Sequence, residues 1–472
     1  MKVIHVSAEC YPAAKVGGLA DVVGALPKYQ TNLGHEAAVV MPYYNNKYAK
    51  TAKCTTDFST TVQLNNHEYK AIVYKIDNSF RDLGYNLYQV HVDYLLDREN
   101  VYGYEDDTER FIAFQKVVLD WLLQFKTQPK TIHCHDHHTG LIPFMLTQCK
   151  KYHSIRSTPT IFTIHNAGYQ GEFSFEKLSY LPEYDLEQSG LLEWDYAINP
   201  MAAAIKACWK YTTVSPNYMN ELPYAATGLD WLFDTERKKS VGILNGIDAD
   251  VWNPTSDKMI AKNYNVKTVD AGKKANKAAL CKKFNLDPNK PLVAFIGRLV
   301  YQKGADIMAG IFDRALEAND INGLVLGSGD PHAEFLLNEL KDKYSGRYNT
   351  FIGYDEELSH LIYAGADFLI MPSRFEPCGL NQLYALRYGT IPVVRTTGGL
   401  KDTVKDIGEK GGFGIRHEHV TIEDVALAIT RANKLYNNTA EFKRIRKEIM
   451  KIDNSWENSA KDYIELYINA AL

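Results

Sequence analysis

No stretch of the chain approaches the roughly 18 consecutive apolar residues that a membrane-spanning helix requires, and no low-complexity tract or internal repeat is evident. Cysteine is scarce. Seven residues in 472 (Cys10, Cys54, Cys134, Cys149, Cys208, Cys281 and Cys378) are odd in number and widely scattered, which argues against a disulfide framework and for reduced thiols in the cytoplasm. There is no excess of positive charge: the formal net charge is −4, without long runs of one sign, so a general nucleic-acid footprint is excluded and any anion site must be built locally. The opening residues, Met1-Lys2-Val3-Ile4-His5-Val6-Ser7-Ala8-Glu9, hold too short an apolar run for a secretory leader and read as a core strand. No membrane partner is expected.

What remains is a chain too long for one hydrophobic core, which predicts two domains of roughly 200 residues each. After the first strand and a loop at Lys15, apolar residues at Leu19, Val22, Val23, Leu26 and Leu33 keep one helical face, with Gly34 as its C-terminal stop. Short apolar runs at 37–41, 131–135, 160–165 and 210–215 alternate with a helix over 110–125. Parallel strands with helical crossovers are the simplest reading. The turn at Asn245-Gly246-Ile247-Asp248 predicts a hinge just beyond it, giving domains 1–250 and 251–455 and a closing segment 456–472. Polar, lysine-rich sequence over 255–290 reads as a connection. A second βα series follows, with strands from Leu292, Gly323, Thr350, Asp367 and Ile391 and helices near 305–318, 332–344, 356–364 and 380–388. Two further amphipathic helices are expected at 422–436 and 456–470.

Candidate chemistry lies at the ends of these strands, where α/β folds place their ligand loops. In Phe295-Ile296-Gly297-Arg298-Leu299-Val300-Tyr301-Gln302-Lys303-Gly304, a guanidinium fork, an ammonium and the amides of the next helix converge on one anion, and we read a diphosphate clamp. Two such cations in an arbitrary loop are more often solvated surface groups; their place after a core strand reverses that preference. The loop Lys15-Val16-Gly17-Gly18 permits close backbone approach but matches no Walker or Gly-x-Gly-x-x-Gly pattern. Alone it is more often a tight turn. The run His133-Cys134-His135-Asp136-His137-His138 contains metal-ligating types, but strand alternation divides them between two faces, so structural or substrate contacts are preferred to a metal. His165 ends another strand. Ser373-Arg374-Phe375-Glu376-Pro377-Cys378-Gly379-Leu380 and Thr396-Thr397-Gly398-Gly399 offer a carboxylate and helix-start amides for sugar hydroxyls or phosphate. With no histidine nearby in sequence, Cys378 is not read as a nucleophile. The 31 tyrosines suit carbohydrate surfaces and cores alike.

Taken together and in this order, the Lys15, Thr163-Ile164-His165-Asn166, Leu244-Asn245-Gly246-Ile247-Asp248, Arg298, Glu376 and Gly398 motifs make the whole chain resemble the bacterial glycogen synthase and plant starch synthase family. The resemblance implies a GT-B fold of class α/β, in which two Rossmann-like doubly wound domains face each other across a deep cleft and a C-terminal helix returns to the N-terminal domain. It implies a retaining glucosyltransferase that uses ADP-glucose, or alternatively UDP-glucose, to extend an α-1,4-glucan such as glycogen or a maltooligosaccharide, with no metal or other cofactor. Lys15, His165, Arg298, Lys303 and Glu376 are then the catalytic set. Gly18, Asp21, Asn245, Tyr354, Cys378, Gly379, Leu380 and Thr397 serve the donor, with Tyr354 stacking on the base, while Glu9, Asp136 and His138 serve the acceptor. Three departures stand out: Val16 where many members have Thr, His137 where Trp is usual, and Tyr384 where the broader retaining pattern has a second Glu. A catalytically silent glucan-binding protein is the alternative of another class.

Overall fold

The computed structural model describes residues 1–470 and divides into two compact units, Met1–Asn245 with the chain from Trp456 onward, and Gly246–Ser455. The break falls at Asn245, a few residues before the position expected from sequence. Of the expected closing segment 456–472, residues 471 and 472 lie outside the described residues.

Unit 1 is built on strands β1 (Lys2–Val6), β2 (Glu36–Pro42), β3 (Cys54–Leu64), β4 (His67–Ile76), β5 (Asn86–Val92), β6 (Thr131–His135) and β7 (Thr160–Ile164), the two-residue strands β8 (Glu193–Trp194) and β9 (Ala197–Ile198), then β10 (Lys210–Thr213) and β11 (Ser240–Gly242). Among the described residues its main sheet has nine strands in the order β11-β10-β7-β6-β1-β2-β5-β4-β3. β6 and β7 are buried at every position, as strands covered by helices on both faces must be. The all-parallel expectation fails at one edge, where β3, β4 and β5 pair antiparallel. β3 exposes most of its residues, so it lacks the continuous apolar run by which parallel strands are recognised. The Gly18–Asn32 helix buries Leu19, Val22, Val23 and Leu26, and Gly34, at φ +85°, turns the chain into β2. The Trp456–Ala470 helix lays Trp456, Tyr463 and Tyr467 against Val3, Leu26 and Ile161, each large side chain contributing ~1.5–3 kcal/mol by burial.

Unit 2 carries strands β12 (Leu292–Ile296), β13 (Asn322–Gly327), β14 (Tyr348–Ile352), β15 (Phe368–Met371), β16 (Ile391–Arg395) and β17 (Ile415–His417), all parallel, in the order β14-β13-β12-β15-β16-β17. The first strand therefore lies inside the sheet, and the winding reverses between β12 and β15, the switch point where doubly wound folds bind ligands. The polar 255–290 connection is corrected: it contains the Val269–Phe284 helix. Its apolar periodicity is weak because two lysines lie on the buried face. Lys273 Nζ donates to the carbonyls of Tyr363 and Tyr388 and to Thr390 Oγ1, and Lys277 Nζ donates to Asp367 at 2.7 Å. Thr439–Ile449 is a further helix not expected from sequence.

Candidate active site

On unit 2 the switch point is lined by the loops after β12 and β15, and these two loops are bonded along their length. Arg374 N–H donates to the Gln302 carbonyl at 2.8 Å. The Arg374 guanidinium lies over the Tyr301 ring, 3.6 Å from its centroid, and forks onto Asp306 at 2.7 and 2.8 Å. Gly304, at φ +76°, passes so close to Pro372 that a Cβ would lie 2.9 Å from its carbonyl oxygen. This frame brings Lys303 Nζ onto Glu376 Oε2, where Ser373 Oγ donates to the same oxygen at 2.9 Å. Glu376 is buried. Arg298, five residues before Lys303 on the same loop, is exposed. The next loop closes on the same place: Gly399 N–H donates to the Glu376 carbonyl at 3.1 Å, and Gly398, at φ +45°, would drive a Cβ to 1.9 Å from that oxygen. Cys378 and Thr397 are buried and Gly379, at φ +75°, and Leu380 lead into the Asn381–Arg387 helix. Tyr354, after β14, is 73 % exposed. Tyr384 is instead a core residue, stacked on Trp252 with centroids 3.8 Å apart.

On unit 1 the Lys15 loop leaves the C-terminal end of β1 and starts the Gly18–Asn32 helix, whose first turn has no side-chain cap. Lys15 Nζ donates to Asp21 at 2.7 Å. Glu9, expected at the acceptor, is bonded to this loop. Its Oε2 accepts the amides of Val16 and Gly17 at 2.6 and 2.9 Å, while Oε1 accepts the Tyr102 hydroxyl at 2.7 Å. Its carboxylate thus shapes the loop, on which Gly18 is exposed.

Asp136 and His165 meet at the ends of β6 and β7. Asp136 Oδ1 accepts the His165 backbone N–H at 2.7 Å. Burial pushes the Asp136 carboxyl up to about 7, against the amides of His165 and Asn166, which favour its charged form. His138 is buried, stacked on Tyr102 with centroids 4.7 Å apart and edge-on to Phe111. It is thus an anchor for the loop that also carries Asp136. Asn245, the last residue of unit 1, leaves its Oδ1 without a hydrogen-bond partner among the described residues.

The expected division of histidines along β6 holds for His133 and His135, while His137 lies beyond the strand in a 3-10 turn. Sequence reasoning missed His5. It pairs in register with His133, and ring nitrogens of His5, His133 and His135 lie within 4.8 Å of one another. All six of their ring nitrogens are hydrogen-bonded within the protein, so the cluster is a bonded network rather than an open set of ligands. Alternation along β1 was the available signal, since His5 lies between two core positions. Burial holds all three imidazoles below the usual histidine range, His5 at about 4.

Two doubly wound units, each with a glycine loop at the end of a central strand, and a cation–carboxylate pair at a switch point define a glycosyltransferase of the GT-B class. Residues 2–235 match the starch synthase catalytic domain and residues 276–448 the glycosyl transferases group 1 family. The chain is 51% identical to the glycogen synthase of Flavobacterium johnsoniae over 99% of its own length and 98% of the relative's. It superposes on the catalytic domain of starch synthase IV from Arabidopsis thaliana, bound to ADP and acarbose, with a TM-score of 0.91 at 33% identity, covering 99% of both chains. A sucrose-phosphate synthase from Thermosynechococcus elongatus, at 17% identity and a TM-score of 0.61 over 99% of this chain and 98% of that one, shares the fold alone. The chain belongs to the glycogen and starch synthase family of nucleotide-sugar glucosyltransferases. Among the described residues no helix is long and apolar enough to cross a membrane.

Proposed function

We propose that the chain transfers glucose from ADP-glucose to the non-reducing 4-hydroxyl of an α-1,4-glucan with retention of configuration. The observation that carries this reading is the Lys303–Glu376 pair at the switch point of unit 2, with the exposed Arg298 on the same loop as Lys303. Arg298 and Lys303 neutralise the departing diphosphate, the task for which preorganised cations contribute most. Lys303 then exchanges its bond to Glu376 for one to phosphate, which releases the Glu376 carboxylate to the hydroxyls of the transferred glucose. Backbone groups of Cys378, Gly379, Leu380 and Thr397 complete donor binding, and Tyr354 stacks on the base. On unit 1, Lys15, held by Asp21, and the Gly18 amide add positive field, while His165 and Asn245 contact the sugar and Asp136 and His138 organise the acceptor side. The C1–phosphate bond breaks on the face where the acceptor 4-oxygen attacks, and the acceptor proton passes to the leaving phosphate oxygen. No enzymic nucleophile, metal or organic cofactor is required.

Bound ADP in the related starch synthase supports ADP-glucose over UDP-glucose as donor. Arg298→Ala and Lys303→Ala are each expected to lower kcat by about 10²–10³-fold, in line with the loss of one charge-stabilising group, while circular dichroism stays unchanged. Near-normal turnover in both variants would remove the clamp from the reaction.

A further inference from the structure

The histidines beneath the unit 1 site form a continuous hydrogen-bonded line, and the line ends at His165. It begins on the Gly18–Asn32 helix, where Gln30 Oε1 accepts from His5 Nε2 at 2.8 Å. His5 Nδ1 meets His135 Nε2 at 3.0 Å, and His135 Nδ1 meets His165 Nε2 at 3.0 Å. On its other side Gln30 Nε2 donates to the Tyr467 hydroxyl at 3.1 Å. That hydroxyl meets His133 Nδ1 at 2.7 Å, and His133 Nε2 meets Thr163 Oγ1, which meets Thr212 Oγ1, at 2.6 Å each. Gln30, His5, His133 and His135 are fully buried.

A neutral imidazole has one N–H and one bare nitrogen, so a ring hydrogen-bonded through both nitrogens transmits polarity from one neighbour to the next. Burial holds His5, His135 and His165 neutral at physiological pH. The line consequently has two fully satisfied states. With the Gln30 carbonyl toward His5, every ring in the line carries its proton on Nε2, and His165 is left with a bare Nδ1. With the amide reversed, every ring carries its proton on Nδ1, and His165 becomes a donor there. The observed orientation is the first, and it also satisfies the other branch. The Tyr467 hydroxyl, accepting a hydrogen bond from the Gln30 amide, donates one to His133 Nδ1, whose Nε2–H is then directed to Thr163.

We propose that Gln30, through His5 and His135, sets the tautomer of His165, so that His165 offers a bare Nδ1 as hydrogen-bond acceptor to a hydroxyl of the transferred sugar. Gln30, His5 and His135 are positioning residues in this arrangement, and the inference rests on the reading that His165 contacts the sugar. It assigns the Trp456–Ala470 helix a further part, because Tyr467 on that helix biases the Gln30 amide. A structural role alone would leave the tautomer of His165 indifferent to a side chain two imidazoles away.

The test is 15N NMR of the full chain labelled at histidine, with His165 assigned from the spectrum lost in His165→Gln. In the unsubstituted protein, His5, His135 and His165 should all show protonated Nε2 and bare Nδ1. Gln30→Met keeps the length of the side chain and removes both polar groups. It should convert His165 to a mixture of tautomers and lower kcat/KM for ADP-glucose about five- to tenfold, the effect of a lost hydrogen bond, with ADP affinity unchanged. Gln30→Glu, whose oxygens still accept from His5, should restore the single tautomer and most of the rate. A protonated Nδ1 on His165 in the unsubstituted protein overturns the inference, a result that does not depend on any variant folding. So does a Gln30→Met protein that retains the single tautomer. Absence of sugar transfer by the unsubstituted protein would sink the proposed function while leaving the tautomer measurement to decide the relay.

Discussion

Unit 1 and unit 2 each suspend glycine loops from the C-terminal ends of parallel strands, yet the polar groups buried in their sheets are of opposite kinds. Below the unit 1 site lies a set of neutral imidazoles tied to Gln30, Tyr467, Thr163 and Thr212. In unit 2, Asp367, buried just before β15 at the end of the sheet opposite the ligand loops, accepts the Leu292 N–H at 2.9 Å and is held by Lys277 at 2.7 Å and Arg446 at 2.8 Å. Burial alone would raise its carboxyl, but the two cations pull it below the usual carboxylate range. The difference teaches that one fold can organise the polar interior of its sheet either with hydrogen bonds between neutral groups or with paired charge. The unit with paired charge carries Arg298 and Lys303, the cations proposed for the diphosphate; the unit with the imidazole line carries His165, the proposed sugar contact.

The comparison is broken most severely at Asp367. Asp367→Ala strands two buried cations and should destabilise unit 2 by about 3–5 kcal/mol, visible as a lower denaturation midpoint for that unit with unit 1 unaffected. A single transition shifted as a whole would contradict the separation. Acid should then distinguish the units without any substitution. His5, His133, His135, His137, His138 and His165 all have pKa values lowered by burial. Their neutral forms stabilise the fold above the unfolded histidine value of about 6.5, and that stabilisation is lost as pH falls toward their folded values, because the unfolded chain takes up more protons. Asp367, lowered below 3.8, supports unit 2 until still lower pH. Tryptophan fluorescence and histidine NMR across pH 7 to 4 should show unit 1 loosening first.

Smaller effects sharpen the picture of the loops. Glu9→Gln replaces one acceptor oxygen under the Lys15 loop by a donor, and should cost about 1–3 kcal/mol and reduce kcat/KM roughly tenfold through loss of loop geometry. Retained activity would make the Glu9 contacts incidental. Asp136→Asn should have the mildest consequence, and a pH-dependent one. The folded carboxyl keeps its proton to about pH 7 while the unfolded one releases it near 4, so the native side chain loses stability as pH rises between those values. The variant should therefore melt with the parent at pH 4 and above it, by about 2–4 °C per kcal/mol relieved, at pH 8.

Much of this was legible in the sequence because strand, glycine loop and helix each leave a short-range signature. β12, β15 and their loops read directly from apolar runs that end in Gly297-Arg298 and Pro372-Ser373, and residues 305–318 show the helical period of the observed Ala305–Ala318 helix. The β3–β4 hairpin escaped because an exposed edge ribbon alternates too weakly to announce a face. The Val269–Phe284 helix escaped because Lys273 and Lys277, though buried, read as solvated. In the site, the company of Arg298, Lys303 and Glu376 was legible as loops after neighbouring strands. The engagement of Glu9 by Val16 and Gly17 spans only seven and eight positions but follows no helix or strand period, and the line from Gln30 through His5 and His135 to His165 joins residues 25, 130 and 30 positions apart, which leaves no local pattern.

The central claim is tested most directly by incubating the purified chain with glycogen and radiolabelled ADP-glucose or UDP-glucose and measuring label in precipitated glucan. Incorporation from ADP-glucose should lie well above that from UDP-glucose, and the label should be released again by an enzyme specific for α-1,4 linkages. Incorporation from neither donor, with the protein folded and glucan bound, would contradict it.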